Sequence, residues 1–185
     1  MPKIRFAHLK NSNFFFLYGD IQPMEEQSSH SFANEVLKTA KKLGIKTVIT
    51  LGGIGMAELP EKPIVYITGN NEKIVKKYST SSTKSKILGI VGPIVGATGL
   101  LVGLAGKYKL DAVAYLAESF AHPLHVGVKE SFELLKILKS KMGLGISLKE
   151  FQKDITKLEK DQRKKIKDLR EVKTAKKKKD TSYIG

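Results

Sequence analysis

Four side chains of this sequence have the types and positions that chemistry would need: His122, His125, Asp20 and Glu118. His122-Pro123-Leu124-His125 sets two imidazoles three residues apart, a spacing open to a pair of metal ligands. Pro123 disfavours the helical backbone that would aim both rings at one ion. No carboxylate stands between or immediately beside them, and a metal centre takes three or four ligands. The remaining histidines are His8 and His30, and no cysteine is present to supply a thiolate ligand, a nucleophile or a disulfide. These residues predict no metal and no cofactor.

The two carboxylates stand at the ends of predicted strands, Asp20 within Gly19-Asp20-Ile21-Gln22-Pro23 and Glu118 before Ser119. Open α/β sheets bind ligands beyond the carboxyl ends of their strands. Asp20, the glycine-rich segment Gly52–Gly55 and Glu118 could therefore line the crevice of an enzyme. The competing reading makes Asp20 a turn residue bonding its own backbone and Glu118 a hydrogen-bonded loop anchor. No Ser-His-acid order and no P-loop can be assembled around them, so the sequence does not read as an enzyme.

The elements that would position these residues are organised around Ile87–Gly106, twenty residues without a charge between Lys86 and Lys107. Glycines fall at 89, 92, 96, 99, 103 and 106. From Gly92 the steps of four, three, four and three place them on one stripe of a helix. The run reads as a buried strand over Ile87–Val91, a turn at Gly92 and a helix over Pro93–Lys107 that packs closely on a sheet. Proline suits a first helical position, where its missing N–H has no intrahelical partner. A membrane span of this length is the sharper rival, but six glycines and a proline argue against it. The spacing fits neither the dinucleotide fingerprint nor a P-loop.

The flanking chain alternates strands and helices. Lys3–Leu9 and Asn13–Tyr18 predict adjacent strands around an Asn11-Ser12 turn. Ser28–Ser31 offer caps to a helix whose apolar positions are Phe32, Val36, Leu37, Ala40 and Leu43, ending at Gly44. Ile45–Leu51 reads as a buried strand leaving through Gly52-Gly53-Ile54-Gly55, Ile64–Thr68 as another, and Asn70–Tyr78 as a short helix with an Asn cap. Ser79–Lys86 is a loop, Asp111–Ala117 a strand, and Val126–Met142 an amphipathic helix stopped by Gly143. The fold class is α/β, a mostly parallel sheet flanked by helices.

Three regions follow: an α/β domain over 1–145, an amphipathic C-terminal helix over 146–175, and a flexible basic tail over 176–185. Leu148, Phe151, Ile155, Leu158, Ile166 and Leu169 form a narrow seam suited to a partner helix or a domain surface. Lysine and arginine number 33 against 18 acids, a formal charge of +15. About half of that excess lies in Lys149–Lys179, with 14 basic and 6 acidic residues. Such a surface attracts nucleic acid, anionic membranes or acidic proteins. Met1–Lys10 holds no long apolar segment, so a cytoplasmic protein is expected.

Gly-Asp-Ile-Gln-Pro (19–23), Leu-Gly-Gly-Ile-Gly (51–55), Gly-Pro-Ile-Val-Gly-Ala-Thr-Gly-Leu-Leu-Val-Gly-Leu-Ala (92–105) and Leu-Ala-Glu-Ser (116–119) occur in order. Together they resemble the proteasome assembly chaperone 2 family in its archaeal form, over roughly residues 13–160. The motif positions carried by the resemblance are Gly19, Asp20, Gln22, Pro23, Gly52, Gly53, Gly92, Gly96, Gly99 and Glu118. It implies a nucleoside-phosphorylase-like α/β fold with a trailing C-terminal helix. It also implies ATP-independent, non-catalytic binding to proteasome α-subunits as a homo-oligomer.

Members of that family begin with a further strand-turn-helix, so the resemblance makes this chain N-terminally shortened, with two alternatives open: its sheet lacks a strand, or another subunit covers the gap. Docking tails of such proteins end in hydrophobic–Tyr–any residue; here Tyr183 is followed by Ile184-Gly185, one place early. The expected partner-binding residues are Tyr183, Ile184 and Gly185 with Lys176, Lys177, Lys178 and Lys179. The alternative is nonspecific nucleic-acid binding through Arg163–Lys179, a segment without aromatics to stack bases.

Overall fold

The computed structural model describes residues 3–85, 94–122, 125–153 and 155–158. The chain divides into two compact units, one of Met1–Thr50, Thr68–Lys77 and Lys86–Ala114, the other of Leu51–Ile67, Tyr78–Ser85 and Tyr115–Gly185.

In the first unit, β1 (Ile4–His8) and β2 (Phe15–Gly19) form an antiparallel hairpin in register from Ile4↔Gly19 to His8↔Phe15. The expected turn is present. Asn11 takes φ 58°, Ser12 N–H donates to Leu9 O at 3.2 Å, and Leu9 N–H donates to Phe14 O at 3.0 Å. Helix α1 (Glu26–Lys42) buries Ser29, Ala33, Leu37 and Ala40, one stripe at helical spacing. It begins before the expected serine caps because those hydroxyls turn backwards. Ser28 Oγ donates to Glu25 O and Ser29 Oγ to Pro23 O, so neither caps an N–H. Its end follows the expectation: Gly44 takes φ +72°, Gly44 N–H donates to Lys41 O and Ile45 N–H to Ala40 O. This paired closure needs a left-handed residue, which glycine supplies at little cost.

Helix α3 (Ala97–Ala105) packs on α1 and buries Leu101, Val102 and Ala105. It continues as a 3₁₀ turn, Gly106–Tyr108, where Tyr108 Oη donates to Asn34 Oδ1 at 2.8 Å. The helix starts at Ala97 rather than Pro93, because Gly96, at φ 83° and ψ −165°, is its extended N-cap. The expected close-packing stripe is corrected accordingly. A Cβ on Gly99 would collide with Ile94 O, but at Gly103 and Gly106 it would meet nothing within 4 Å. The expected strand over 87–91, Gly92 and Pro93 lie outside the described residues.

The sheet runs β3-β6-β4-β5, from β3 (Thr47–Met56), β4 (Val65–Gly69), β5 (Thr83–Lys84) and β6 (Asp111–Phe120). Asp111 N–H donates to Lys46 O and Ala121 N–H to Met56 O, so β3 and β6 run parallel. Glu118 N–H donates to Ile64 O and Asn70 N–H to Ala112 O, so β6 and β4 are antiparallel. β4 and β5 are parallel. The sheet is mixed, with one antiparallel step where a mostly parallel order was expected. β3 also runs straight through its glycines instead of leaving the sheet at Gly52. A Cβ on Gly55 would lie 3.2 Å from that of Ala121 and one on Gly53 3.5 Å from that of Ser119, so these positions lie close along the β6 end.

The sheet's short connections carry their own locks. Helix α2 (Glu72–Tyr78) is capped by Asn71, whose Oδ1 accepts from Ile74 N–H at 2.9 Å. Asn70 is not the cap. Its amide donates to Leu110 O and accepts from Ala112 N–H, extending the strand pairing through a side chain. The expected loop over 79–86 contains β5. In the second unit, helix α4 (Val128–Met142) ends at Gly143 as expected. Residues 148–153 and 155–158 are helical; the rest of the expected C-terminal helix, from 159, and the tail lie outside the described residues.

Candidate functional site

The Gly19–Pro23 motif is a structural joint of the first unit. Asp20 Oδ2 accepts from Lys3 N–H at 2.9 Å while Asp20 N–H donates to Lys3 O at 3.1 Å, clamping the open end of the hairpin. Gln22 reaches 75 residues along the chain, and its Oε1 accepts from Ala97 N–H at 3.2 Å, next to Gly96. Gln22 thus satisfies one of the N–H groups that a helix start leaves unbonded. Pro23 O takes the Ser29 hydroxyl of α1. One pentapeptide therefore ties the hairpin, α1 and the start of α3 together.

Glu118, in the second unit, is likewise held by its own neighbours. Oε2 accepts from Ile64 N–H and Oε1 from Tyr66 Oη, each at 3.1 Å. Burial first, then this bond, raises the Tyr66 hydroxyl above its ordinary pKa. Both carboxylates anchor their neighbours, Asp20 by accepting from backbone and Glu118 by accepting from backbone and tyrosine. The expected crevice glycines 52, 53 and 55 are strand residues, not a loop.

His122 and His125 flank Phe120, whose ring stacks on His122 at 5.4 Å and meets His125 edge-on at 5.9 Å. The sequence reading missed the partner of His125. Its Nε2 lies 2.7 Å from Glu130 Oε1, with the two side chains only 8% and 6% exposed. Glu130 sits in the first turn of α4, where the helix dipole favours a negative charge. A Cβ on Gly127 would lie 3.3 Å from the Glu130 carboxylate and 3.3 Å from Ser119 Oγ. The signal available in sequence was a histidine and a carboxylate five residues apart across a glycine, a spacing that belongs to no regular element. Among the described residues no group of three metal-capable side chains gathers.

The hairpin carries exposed apolar side chains on both of its faces. No residue of β1 or β2 is buried. Ile4 and Phe6 are exposed from one face; Phe16 at 43% and Tyr18 at 52% are exposed from the other. Phe6 stacks on Phe15 at 5.6 Å, and Arg5 lies over the Tyr18 ring at 5.9 Å. Ile21 and Met24, just beyond β2, are exposed as well. The sequence signal was the unbroken run Phe14–Tyr18, which leaves no polar face to the strand. The expected tail residues, Lys176–Lys179 and Tyr183–Gly185, lie outside the described residues.

The PAC2 family profile matches residues 1–166. The chain belongs to the PAC2 family.

Among solved structures, Pyrococcus furiosus PbaA, an archaeal homologue of proteasome-assembly chaperone, is 21% identical with a TM-score of 0.72. That match covers 98% of this chain and 73% of that one. Pyrococcus furiosus PbaB, an archaeal proteasome activator, is 21% identical with a TM-score of 0.74, covering 88% of this chain and 70% of that one. A Mycobacterium tuberculosis proteasome-assembly chaperone homologue is 17% identical with a TM-score of 0.62, covering 86% and 66%. At these identities the likeness shows the fold. No curated protein matches the chain. No helix among the described residues is long and apolar enough to cross a membrane.

Proposed function

We propose that this PAC2-family chain is an ATP-independent assembly chaperone or binding protein of the proteasome that contacts α-subunits, partly through its C-terminal tail. Membership of the family over residues 1–166 carries this reading. Its support is the shared fold of PbaA and PbaB, whose names tie them to proteasome assembly and activation. A homo-oligomer would present several basic tails at once, and linked weak contacts gain from effective concentration. Tyr183 and Ile184 would bury apolar surface between α-subunits, while Lys176–Lys179 steer association.

The test is size exclusion of the purified chain with purified proteasome α-subunits. Co-elution at low salt is expected, weakened sharply by deleting 183–185 with fold and oligomer unchanged. Absence of co-elution of the full chain rejects the reading. Equal binding by the deletion variant rejects the tail contact alone.

A further inference from the structure

We infer that the β1–β2 hairpin is a docking ribbon that enters an apolar cleft rimmed by carboxylates on a protein partner. The inference rests on the proposed α-subunit contact and places a second contact on the domain body. Its starting point is that a two-stranded ribbon gains little stability by itself in water; hairpins require a further strand or a packed face. Among the described residues β1 and β2 pair only with each other. Exposed apolar side chains leave from both faces, Ile4 and Phe6 on one, Phe16 and Tyr18 on the other. A flat surface, whether a membrane or the same hairpin of a second copy, covers one face and leaves the other wet. A cleft covers both.

Charge selects what lines the cleft. The ribbon carries Lys3, Arg5 and Lys10, and none of these forms an ion pair among the described residues. Its one carboxylate, Asp20, is bonded to the Lys3 backbone. A hairpin-to-hairpin contact with a second copy would bring another Lys3, Arg5 and Lys10 against the first set, a like-charge approach that costs free energy at low salt. Acidic groups around the cleft compensate the three cations instead, and potentials of opposite sign speed encounter. Nucleic acid would satisfy the cations and could stack on Phe16 and Tyr18, but it offers no cover for Ile4, Leu9 or Met24, all exposed.

The experiment measures binding of the full chain to purified proteasome α-subunits, at low and moderate salt, for three double variants with the tail intact. Phe16→Ser with Tyr18→Ser is expected to weaken binding at least about tenfold, as loss of two central anchors does. Phe16→Leu with Tyr18→Phe restores most of it. Arg5→Glu with Lys10→Glu weakens binding and flattens its salt dependence, a readout that a folding defect would not produce; unfolding midpoints of all three stay near the parent value. Wild-type binding retained in both disruptive variants overturns the hairpin contact and leaves the proposed function standing. Failure of the parent chain to bind overturns both. Loss of self-association with α-subunit binding intact, or loss of binding to random single-stranded DNA alone, assigns the ribbon to another occupant and overturns the inference.

Discussion

The hairpin and β6 are both built from apolar runs, and they end in opposite environments. Phe15–Gly19 contains no buried residue, whereas every residue from Ala112 to Ala117 is 2% exposed or less. Hydrophobicity does not separate them, since Phe15, Phe16 and Leu17 are at least as apolar as Ala112, Val113 and Ala114. The number of neighbours does. β6 lies between β3 and β4 in its sheet, while β2 has only β1. A run bounded by strands on both sides is shielded at its edges, and small alanines let the packing elements approach. A ribbon with one neighbour has two open faces and an open edge. An apolar run thus implies burial in some context, and that context can be a partner.

Substitutions at one tyrosine of each region test that contrast most strongly. Tyr115 is fully buried and its Oη donates to Tyr78 O at 2.7 Å. Tyr115→Ala should cost about 3–5 kcal/mol of folding stability through cavity formation. The matching change Tyr18→Ser should stay within about 0.5 kcal/mol, as exposed substitutions do. Urea denaturation of both variants checks it, and similar losses would erase the distinction between the two regions.

The buried pair of α4 sharpens the same contrast, because burial turns a polar contact into a structural requirement. His125→Ala strands the Glu130 carboxylate in a site that is almost closed to solvent. Breaking such a pair by removing one partner costs about 3 kcal/mol, and the loss is read from the denaturation midpoint at neutral pH.

Alkali probes the β6 side alone. Burial chiefly pushes the Tyr115 hydroxyl up to about 12. A hydroxyl whose folded pKa lies above its unfolded value of about 10 keeps its full contribution below pH 10. Above that, the unfolded chain ionises first and the balance tilts towards it. Stability should therefore fall by about 2–3 kcal/mol as pH rises from about 10 to about 12. Tyr115→Phe should shrink that fall; Tyr66, shifted in the same direction, adds to it. An undiminished alkaline loss in Tyr115→Phe would place its origin elsewhere.

The smallest expected effect is a gain. A Cβ on Gly103 of α3 meets nothing within 4 Å, so Gly103→Ala should raise stability by up to about 1 kcal/mol through helix propensity. A loss in thermal unfolding would instead show that this position needs a bare backbone.

Much of the fold was legible because it is local. The Asn11-Ser12 turn and the Gly44 and Gly143 helix ends each follow from residues within one or two turns of each other. Of the five expected apolar positions of α1, by contrast, only Leu37 and Ala40 are buried; Leu43 is exposed, and Ser29 and Ala33 take the remaining buried places. The errors came where a local signal met a distant partner. Glycines 52, 53 and 55 looked like a strand exit, but pairing along β6 keeps them extended. The glycine spacing from 92 to 106 looked like one helical stripe, yet Gly96 stands outside the helix beside Gln22. At the candidate site Glu118 is the hydrogen-bonded anchor of its second reading, but Asp20 bonds the Lys3 backbone across the hairpin instead of its own turn, and His125 with Glu130 left no periodic trace.

The sequence by itself determined the types of most elements, the +15 charge and the ordered motifs that place the chain in its family. Helical spacing, turn residues and charge act over a few bonds, so a linear reading captures them. Tertiary structure decided which apolar run became core, that β4 runs antiparallel to β6, and that Gln22 caps a helix 75 residues away. These outcomes depend on which surfaces meet after the chain closes long loops. A strand's own residues specify that it will pair and which side chains alternate. They do not specify its neighbour, or whether any neighbour from the same chain will cover it.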